Sequence, residues 1–304
     1  MKRLLILTLI LFIFNLTAPM LLSGNRRQAQ SVPPAQTTAE PTTADAAQTT
    51  SGGSVRDAAA DAAHYVGVVA ALMPAEYEPE ALAAQALAAK TYDAYLEVNG
   101  PDAAFPPLPC LSDAQLRALW GDGYDTYYTK LEAAVKKALG YVLEYGGAPF
   151  PACSFPLCAG RTENSGTVLG REFGCLVCVP SDGDRLCPGL ETVKRFSAGE
   201  LFSLLRLPAD ADGTATVAEY SDAGTALRFS VGEKEFTGFE AASALGLDSA
   251  AFSVASANGE YVFTVRGKGN FLGMSRYGAD FMARQGADLR EILLHYYSGA
   301  EIKN

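Results

Sequence analysis

Residues able to move protons or bind metal are few in this chain and unevenly spread. His64 and His295 are its only histidines. A multi-histidine metal centre therefore cannot be assembled, and a serine or cysteine triad would have two bases to draw on. His295 precedes Tyr296 and Tyr297 late on an apolar helical pattern, where a packed or capping imidazole is the plainer reading. The carboxylates that invite chemistry are Glu76, Glu78 and Glu80, around Pro74 and Pro79, and Glu163 in "AGRTENS". Glu78 and Glu80 adjoin a helix start, where an acid favours the helix dipole. Glu76 lies one turn past Leu72 but beyond Pro74, and Glu163 reads equally as a groove acid or a hydrogen-bonded turn residue.

Cysteine offers a second chemistry. Of the six, Cys153, Cys158, Cys175, Cys178 and Cys187 fall within 35 residues, and Cys110 stands apart. The even count suits disulfides, the first expectation outside a membrane. The Cys-x-x-Cys spacing also suits a structural four-thiolate zinc site of Cys153, Cys158, Cys175 and Cys178. Either arrangement staples loops. No other cofactor is implied. "GKGNFLG" at 267–273 lacks phosphate-loop spacing and no βαβ unit follows it, so its glycines are read as allowing close backbone approach.

The elements that would position these residues follow from pattern. A helix is expected from about Asp57 into Leu72, stopped by Pro74. A second starts at Pro79, a favoured first helical position, and runs through alanine-rich "EALAAQALAAKTYDAYLEV". "SDAQ" at 112–115 resembles a capping box opening a short helix that carries Trp120, and "YYTKLEAAVKKALG" is amphipathic up to Gly140. "YVLEYGGAPFPACS" reads as a hairpin turning at Gly146 and Gly147. "CLVCV", "LRFSVG" and "EYVFTVRG" read as strands. "SRYGADFMARQ" and "LREILLHYY" read as closing helices, the second capped by Asp288 and Glu291 and ended by Gly299. Helices and strands are partly segregated without a βαβ rhythm, which makes the fold class α+β.

Bulk composition narrows the partners. A net charge of -10 and a pI near 4.8 argue against nucleic acid, which needs a basic surface. Leu4 to Leu22 is an uncharged run of 19 residues behind Lys2 and Arg3, long enough to span a bilayer. No convincing cleavage site follows near Ser23, so an uncleaved anchor over residues 1–23 is favoured over a removed signal. Residues 24–56 are rich in Pro, Thr, Ala and Gln, the composition of a flexible tether. Residues 57–304 would form the folded body. A short charged N-terminus left in the cytoplasm would put that body outside a single-pass membrane anchor.

Three blocks in order, "VVAALMPAEYEPEALAAQALAAKTY" (68–92), "GYVLEYGGAPFPACS" with "AGRTENS" (140–165), and "GKGNFLGMSRYGADFMARQGADLREILLHYYSGAEI" (267–302), resemble the stage II sporulation protein D family (SpoIID/LytB). The resemblance covers most of residues 65–304. It implies a domain with a helix-lined groove that binds peptidoglycan glycan strands and, in active members, cleaves them as a lytic transglycosylase. It also implies a role in engulfment beside a cell-wall amidase and sporulation membrane proteins; related members enhance amidases instead. One glutamic acid suffices for that reaction. It protonates the glycosidic oxygen, then takes the proton of the muramic 6-hydroxyl as an anhydro ring closes, so no second carboxylate is needed.

Aligned without a gap from Gly67 to Tyr92, the family's catalytic glutamate falls on Leu72, its loop histidine on Asn270, and its glutamine before Tyr277 on Arg276. Pro151 lies where the middle block often carries a histidine that binds metal in some members. Leucine donates no proton, and loss of one general acid costs on the order of 10²–10⁴-fold. Glu76 and Glu163 are the candidate substitutes. The resemblance would line the glycan groove with Gln85, Lys90, Tyr92, Arg161, Thr162, Glu163, Asn270, Ser275, Arg276 and Tyr277. Two readings follow: a transglycosylase-type enzyme of the sporulation cell wall, or a non-catalytic glycan-binding protein or amidase enhancer that keeps the fold.

Overall fold

The computed structural model describes residues 58–208, 213–257 and 259–304. The expected anchor (1–23) and tether (24–56) lie outside the described residues. Among the described residues no helix is long and apolar enough to cross a membrane.

Helix α1 (Ala58–Leu72) stops ahead of Pro74 and α2 (Pro79–Asn99) begins on a proline. From Ala81 to Ala89 every residue of α2 is buried, so the helix is wrapped on all sides. Its alanines make that possible, because small side chains let neighbouring elements approach closely. Helix α3 (Asp113–Trp120) opens on the Ser112/Gln115 capping box, and α4 (Tyr124–Leu139) follows. Lys90 of α2 donates from Nζ to the Leu139 and Tyr141 carbonyls, 2.9 Å each, and so closes the C-terminus of α4. Replacing it with methionine keeps the stem but leaves those carbonyls unpaired. Lys90→Met is expected to lower stability by about 1–3 kcal/mol in urea denaturation; a change below a few tenths would show that water substitutes fully.

The first strand corrects the sequence reading. Residues Gly146 and Gly147 make the tight turn, closed between Tyr145 and Ala148, but no second hairpin strand returns. Pro149 and Pro151 cannot donate to a ladder, and β1 (Val142–Glu144) pairs antiparallel with the C-terminal β10 (Glu301–Lys303) instead. Strand β2 (Ser154–Phe155) runs parallel to β9 (Met274–Ser275) and joins the middle of the chain to its end. After α5 (Ser165–Leu169), "CLVCV" is not a strand. It is an irregular segment held by Thr162, whose backbone and hydroxyl bond to Val177 and Val179.

The remaining elements enclose a second core. Strands β3 (Glu191–Ser197), β7 (Phe252–Ala257) and β8 (Glu260–Arg266) form one antiparallel sheet in the order β3-β8-β7. Strands β4 (Ala215–Tyr220), β5 (Ala226–Val231) and β6 (Lys234–Phe236) form another in sequence order. Helices α6 (Ala198–Leu204) and α7 (Gly238–Leu245) close over them. Phe229, Phe252 and Phe263 meet there with ring centroids 5.5–5.9 Å apart, a spacing that favours offset or edge contacts. Two final helices, α8 (Arg276–Arg284) and α9 (Leu289–Tyr296), return to pack on α2. Most helices thus pack in the first core and most strands in the second, a partial segregation in keeping with α+β.

Candidate functional site

A cleft of about 310 Å³ opens where the ends of several elements meet. Tyr77 enters it from the turn between α1 and α2, and Tyr277 from the first turn of α8. Pro156 and Leu157 follow β2, Cys187 and Gly189 precede β3, and Asp248, Gly267 and Lys268 complete the wall. The turn bearing Tyr77 is pinned from below. Buried Asp280 of α8 accepts from the Glu78 backbone N–H at 2.7 Å and pairs with Arg284 at 2.6 Å. Burial pushes the Tyr77 phenol up to about 12, with Asp280, Cys187 and Tyr277 adding to it. Burial also raises Tyr277, and after it the neighbouring Cys187. Both rings therefore stay neutral at ordinary pH. Asp248 lies 3.8 Å from the Lys268 ammonium. Two neutral aromatic faces beside a carboxylate and an ammonium suit a sugar, which offers apolar ring faces and hydroxyls together.

Beside the turn stands the position singled out in the sequence. The Arg276 guanidinium donates from Nη1 to the Leu72 carbonyl at 2.7 Å. Its Nε and Nη2 reach the Ser154 hydroxyl and carbonyl, both at 3.2 Å. A cation at the C-terminus of α1 meets the negative end of the helix dipole. Burial lowers its pKa to about 10, so it remains charged at neutral pH. Leu72 itself packs against the helical core.

Burial and bonding sort the other expected groove residues. Asn270 is exposed, its side-chain oxygen accepting from the Leu272 N–H at 3.1 Å. Arg161 is half-buried and donates from Nε to the Cys178 sulfur at 3.3 Å. Gln85 is buried within α2, and its Oε1 has no partner. Lys90 is the α4 cap described above. Tyr92 packs edge-on to Phe105 and donates to the Pro106 carbonyl. Thr162 is fully buried. Of the two substitute acids, Glu163 is 1% exposed and accepts hydrogen bonds from the Ser221 hydroxyl and the Asn164 N–H. Glu76 is exposed and lies toward α4, where Tyr127 bonds its carboxylate and Lys130 its carbonyl. Neither lines the cleft. Leu72, Arg276 and Ser154 are brought together, as are Tyr77 and Tyr277; Lys90 and Tyr92 are committed elsewhere.

Sequence reasoning missed Tyr77, Asp248, Lys268 and Cys187. Tyr77 carried a signal: a large aromatic flanked by glutamates between two prolines has little local apolar surface to pack on. The rest depend on which loops converge, and no local pattern marks that. Also missed was a buried polar network beneath α8. Asp184, fully buried, accepts from the Cys158 N–H at 2.9 Å, the Cys158 thiol at 2.7 Å and the Ser275 hydroxyl at 2.9 Å. Burial raises its pKa against these bonds. Alongside, the Ser181 and Tyr296 hydroxyls are 2.7 Å apart. Ser275 also accepts from the Gly278 N–H as the cap of α8, so the network sets the helix that carries Arg276 and Tyr277.

All six cysteines are free thiols, so the bridges expected from their even count are not formed. Cys158 is held by Asp184 and Cys178 by Arg161. The thiols of half-buried Cys153 and buried Cys175 are each pushed up to about 12, chiefly by desolvation. Among the described residues no three or more His, Cys, Asp or Glu are grouped to hold a metal ion. Pro151 has no donor atom in its side chain. The donor set around the cleft therefore does not fit a metal.

Comparison with known proteins bears on this arrangement. Residues 58–145 match the family described as Stage II sporulation protein. The Stage II sporulation protein D of Bacillus subtilis (strain 168) is 32% identical over 255 residues, spanning 79% of this chain and 73% of that protein. The protein of the same name from Bacillus amyloliquefaciens is 32% identical over 251 residues with the same coverage. An uncharacterised protein of Brachyspira hyodysenteriae is 26% identical over 247 residues, 78% of this chain and 64% of its own length. Because the similarity to the two Bacillus proteins extends well past residue 145 and through most of their length, the chain belongs to the stage II sporulation protein D family.

Proposed function

We propose that this protein binds peptidoglycan glycan strands in the Tyr77–Tyr277 cleft as a non-catalytic member of its family. It would be tethered through residues 1–23 with the folded body outside the membrane, where a cell-wall amidase is the partner its activity would serve. The observation that carries this reading is Leu72. The position that the family resemblance gives to the proton donor holds an aliphatic side chain, and the charge at that point is the Arg276 guanidinium on its carbonyl. A fixed cation there stabilises no leaving alcohol by proton transfer, while the two neutral tyrosines retain what sugar binding needs. The competing reading, a lytic transglycosylase with a relocated acid, draws on Glu76 and Glu163; both are already engaged by hydrogen bonds away from the cleft.

The test uses the purified chain with peptide-free and peptide-bearing glycan strands. Strand retention without anhydro-muramic ends by mass spectrometry is the expected result. Tyr77→Ala should weaken retention on the order of tenfold, the worth of one stacked aromatic contact. Anhydro ends that vanish with Glu76→Gln or Glu163→Gln would make the protein a transglycosylase and overturn the binding-only reading.

A further inference from the structure

Strand β3 is an end strand of its sheet, since the order β3-β8-β7 places β8 on one side of it and no strand on the other. At the opposite end β7 packs against β4. Two hydrogen bonds show which backbone groups of β3 are spent on β8. The Gly267 N–H donates to the Leu190 carbonyl and the Arg266 N–H to the Ala251 carbonyl, both at 2.8 Å. Backbone groups alternate sides along an antiparallel strand, so Thr192, Lys194 and Phe196 bond to β8. The N–H and C=O groups of Glu191, Val193 and Arg195 point away from it and have no partner among the described residues. Such an edge is a template for another strand, and natural edges are commonly blunted by a proline, a bulge or a short length. Strand β3 has seven residues, no proline and an unbroken register.

Its exposed face is self-complementary. Glu191, Val193 and Arg195 alternate onto that face. Val193 is 56% exposed, an apolar group between an acid and a base. The Glu191 carboxylate pairs with Arg266 at 2.6 Å, whereas Arg195 has no ion pair among the described residues.

We propose that two copies of this chain join edge to edge through β3, antiparallel, with Val193 of each at the two-fold axis. Each copy then meets the other with its unspent groups: Glu191 lies opposite the partner's Arg195, and Val193 opposite its own equivalent, all as hydrogen-bonded pairs. Opposite charges facing each other across strands stabilise the pairing. Shifting one copy by two residues loses both ion pairs, and shifting it by one sets spent groups against free ones. The product is a continuous sheet with three strands from each copy. On its other face Thr192, which lines the tyrosine cleft, comes opposite the partner's Lys194. Each copy thereby completes the rim of the other's cleft, and the two clefts flank one seam. The pairing does not depend on what those clefts bind.

The experiment uses the full chain in mild detergent with Val193→Cys, and follows disulfide-linked dimers on non-reducing gels under copper–phenanthroline and air. Hydrogen-bonded antiparallel pairs set their Cα atoms about 5.5 Å apart, within disulfide reach. Val98→Cys, at a residue 75% exposed near the end of α2, controls for random collision. The six native thiols are the same in every variant. Dimers are expected to form about tenfold or more faster with Val193→Cys than with Val98→Cys, because pairing raises the effective thiol concentration. Adding Arg195→Glu, or Glu191→Arg, opposes like charges at both ends of the ladder and should slow linkage about fivefold or more. An equal mixture of those two charge variants places opposite charges together again, so most of the rate should return; that recovery also shows that both variants fold. Equal rates for Val193→Cys and Val98→Cys overturn the proposal and leave the edge to solvent or to an extended segment of another protein. Charge variants that keep the parent's urea midpoint but leave the rate unchanged, or whose slowing mixing does not relieve, overturn it as well.

Discussion

Gly278→Ala destabilises the folded body by about 2–6 kcal/mol, seen as a lowered midpoint in urea denaturation of the chain. Gly278 lies in the first turn of α8, where a Cβ would fall 2.1 Å from the Tyr296 hydroxyl oxygen and 2.3 Å from the Ser181 hydroxyl oxygen. Those two atoms are bonded to each other and buried. Making room for a methyl separates them, leaving a buried hydroxyl unpaired at about 1–3 kcal/mol, and overpacks the helix at about 1–3 kcal/mol more. Asp184 Oδ1, 3.1 Å from the same point, has no slack because Ser275 holds it. Gly140→Ala is the control. That glycine has φ of -71° with nothing within 4 Å of its added Cβ, so the substitution should be neutral or stabilise by about 0.4–1 kcal/mol. Equal, small effects at both positions would mean that α8 shifts freely and that the network beneath it does not fix it.

That contrast also marks where sequence pattern stops being informative. Capping boxes at Ser112/Gln115 and Asp288/Glu291 were legible because both partners lie within one turn. The prolines that end α1 and open α2 were legible for the same reason. The hairpin is not formed because the turn chemistry at Gly146 and Gly147 is local, while β1 pairs with the far C-terminus, Val142 opposite Lys303 and Glu144 opposite Glu301. Two prolines after the turn carried the warning. "CLVCV" has a strand's composition, but Thr162 takes up its backbone groups before a ladder can form.

Site residues divide along the same line. Arg276 and Tyr277 could be named from one motif, because α8 presents both at its start. Lys90 and Tyr92 share a motif with Leu72, but Leu72 ends α1 whereas they lie roughly three turns into α2. There a long amphipathic side chain caps a neighbouring helix and a tyrosine completes an aromatic cluster. Glu163 shows why residue type alone is a weak guide: its carboxylate is buried and already bonded on both oxygens. Tyr77, Asp248 and Lys268 come from three separate loops, and their convergence is a property of the two cores together.

Leu72→Glu alone leaves glycan cleavage at the background of the parent protein, whereas Leu72→Glu/Arg276→Gln raises it on the order of 10²–10⁴-fold. The proposed function makes position 72 the place of the missing proton donor, and on sequence grounds alone restoring a carboxyl there is sufficient. The structure argues otherwise. Arg276 holds the carbonyl of the same residue at 2.7 Å and remains cationic at neutral pH. A glutamate within reach of that guanidinium would be kept ionised, because an opposite charge at close range favours the charged form. It could then accept a proton but not donate one to the glycosidic oxygen. Glutamine at 276 removes the charge and can still donate an amide hydrogen to the Leu72 carbonyl position. The assay is release of anhydro-muramic ends from peptide-free strands, with strand retention measured in parallel to confirm folding. Full activity from the single variant would show that Arg276 swings away from a carboxylate placed there. Inactivity of a double variant that still retains strands would show that the cleft lacks more of the machinery than its acid.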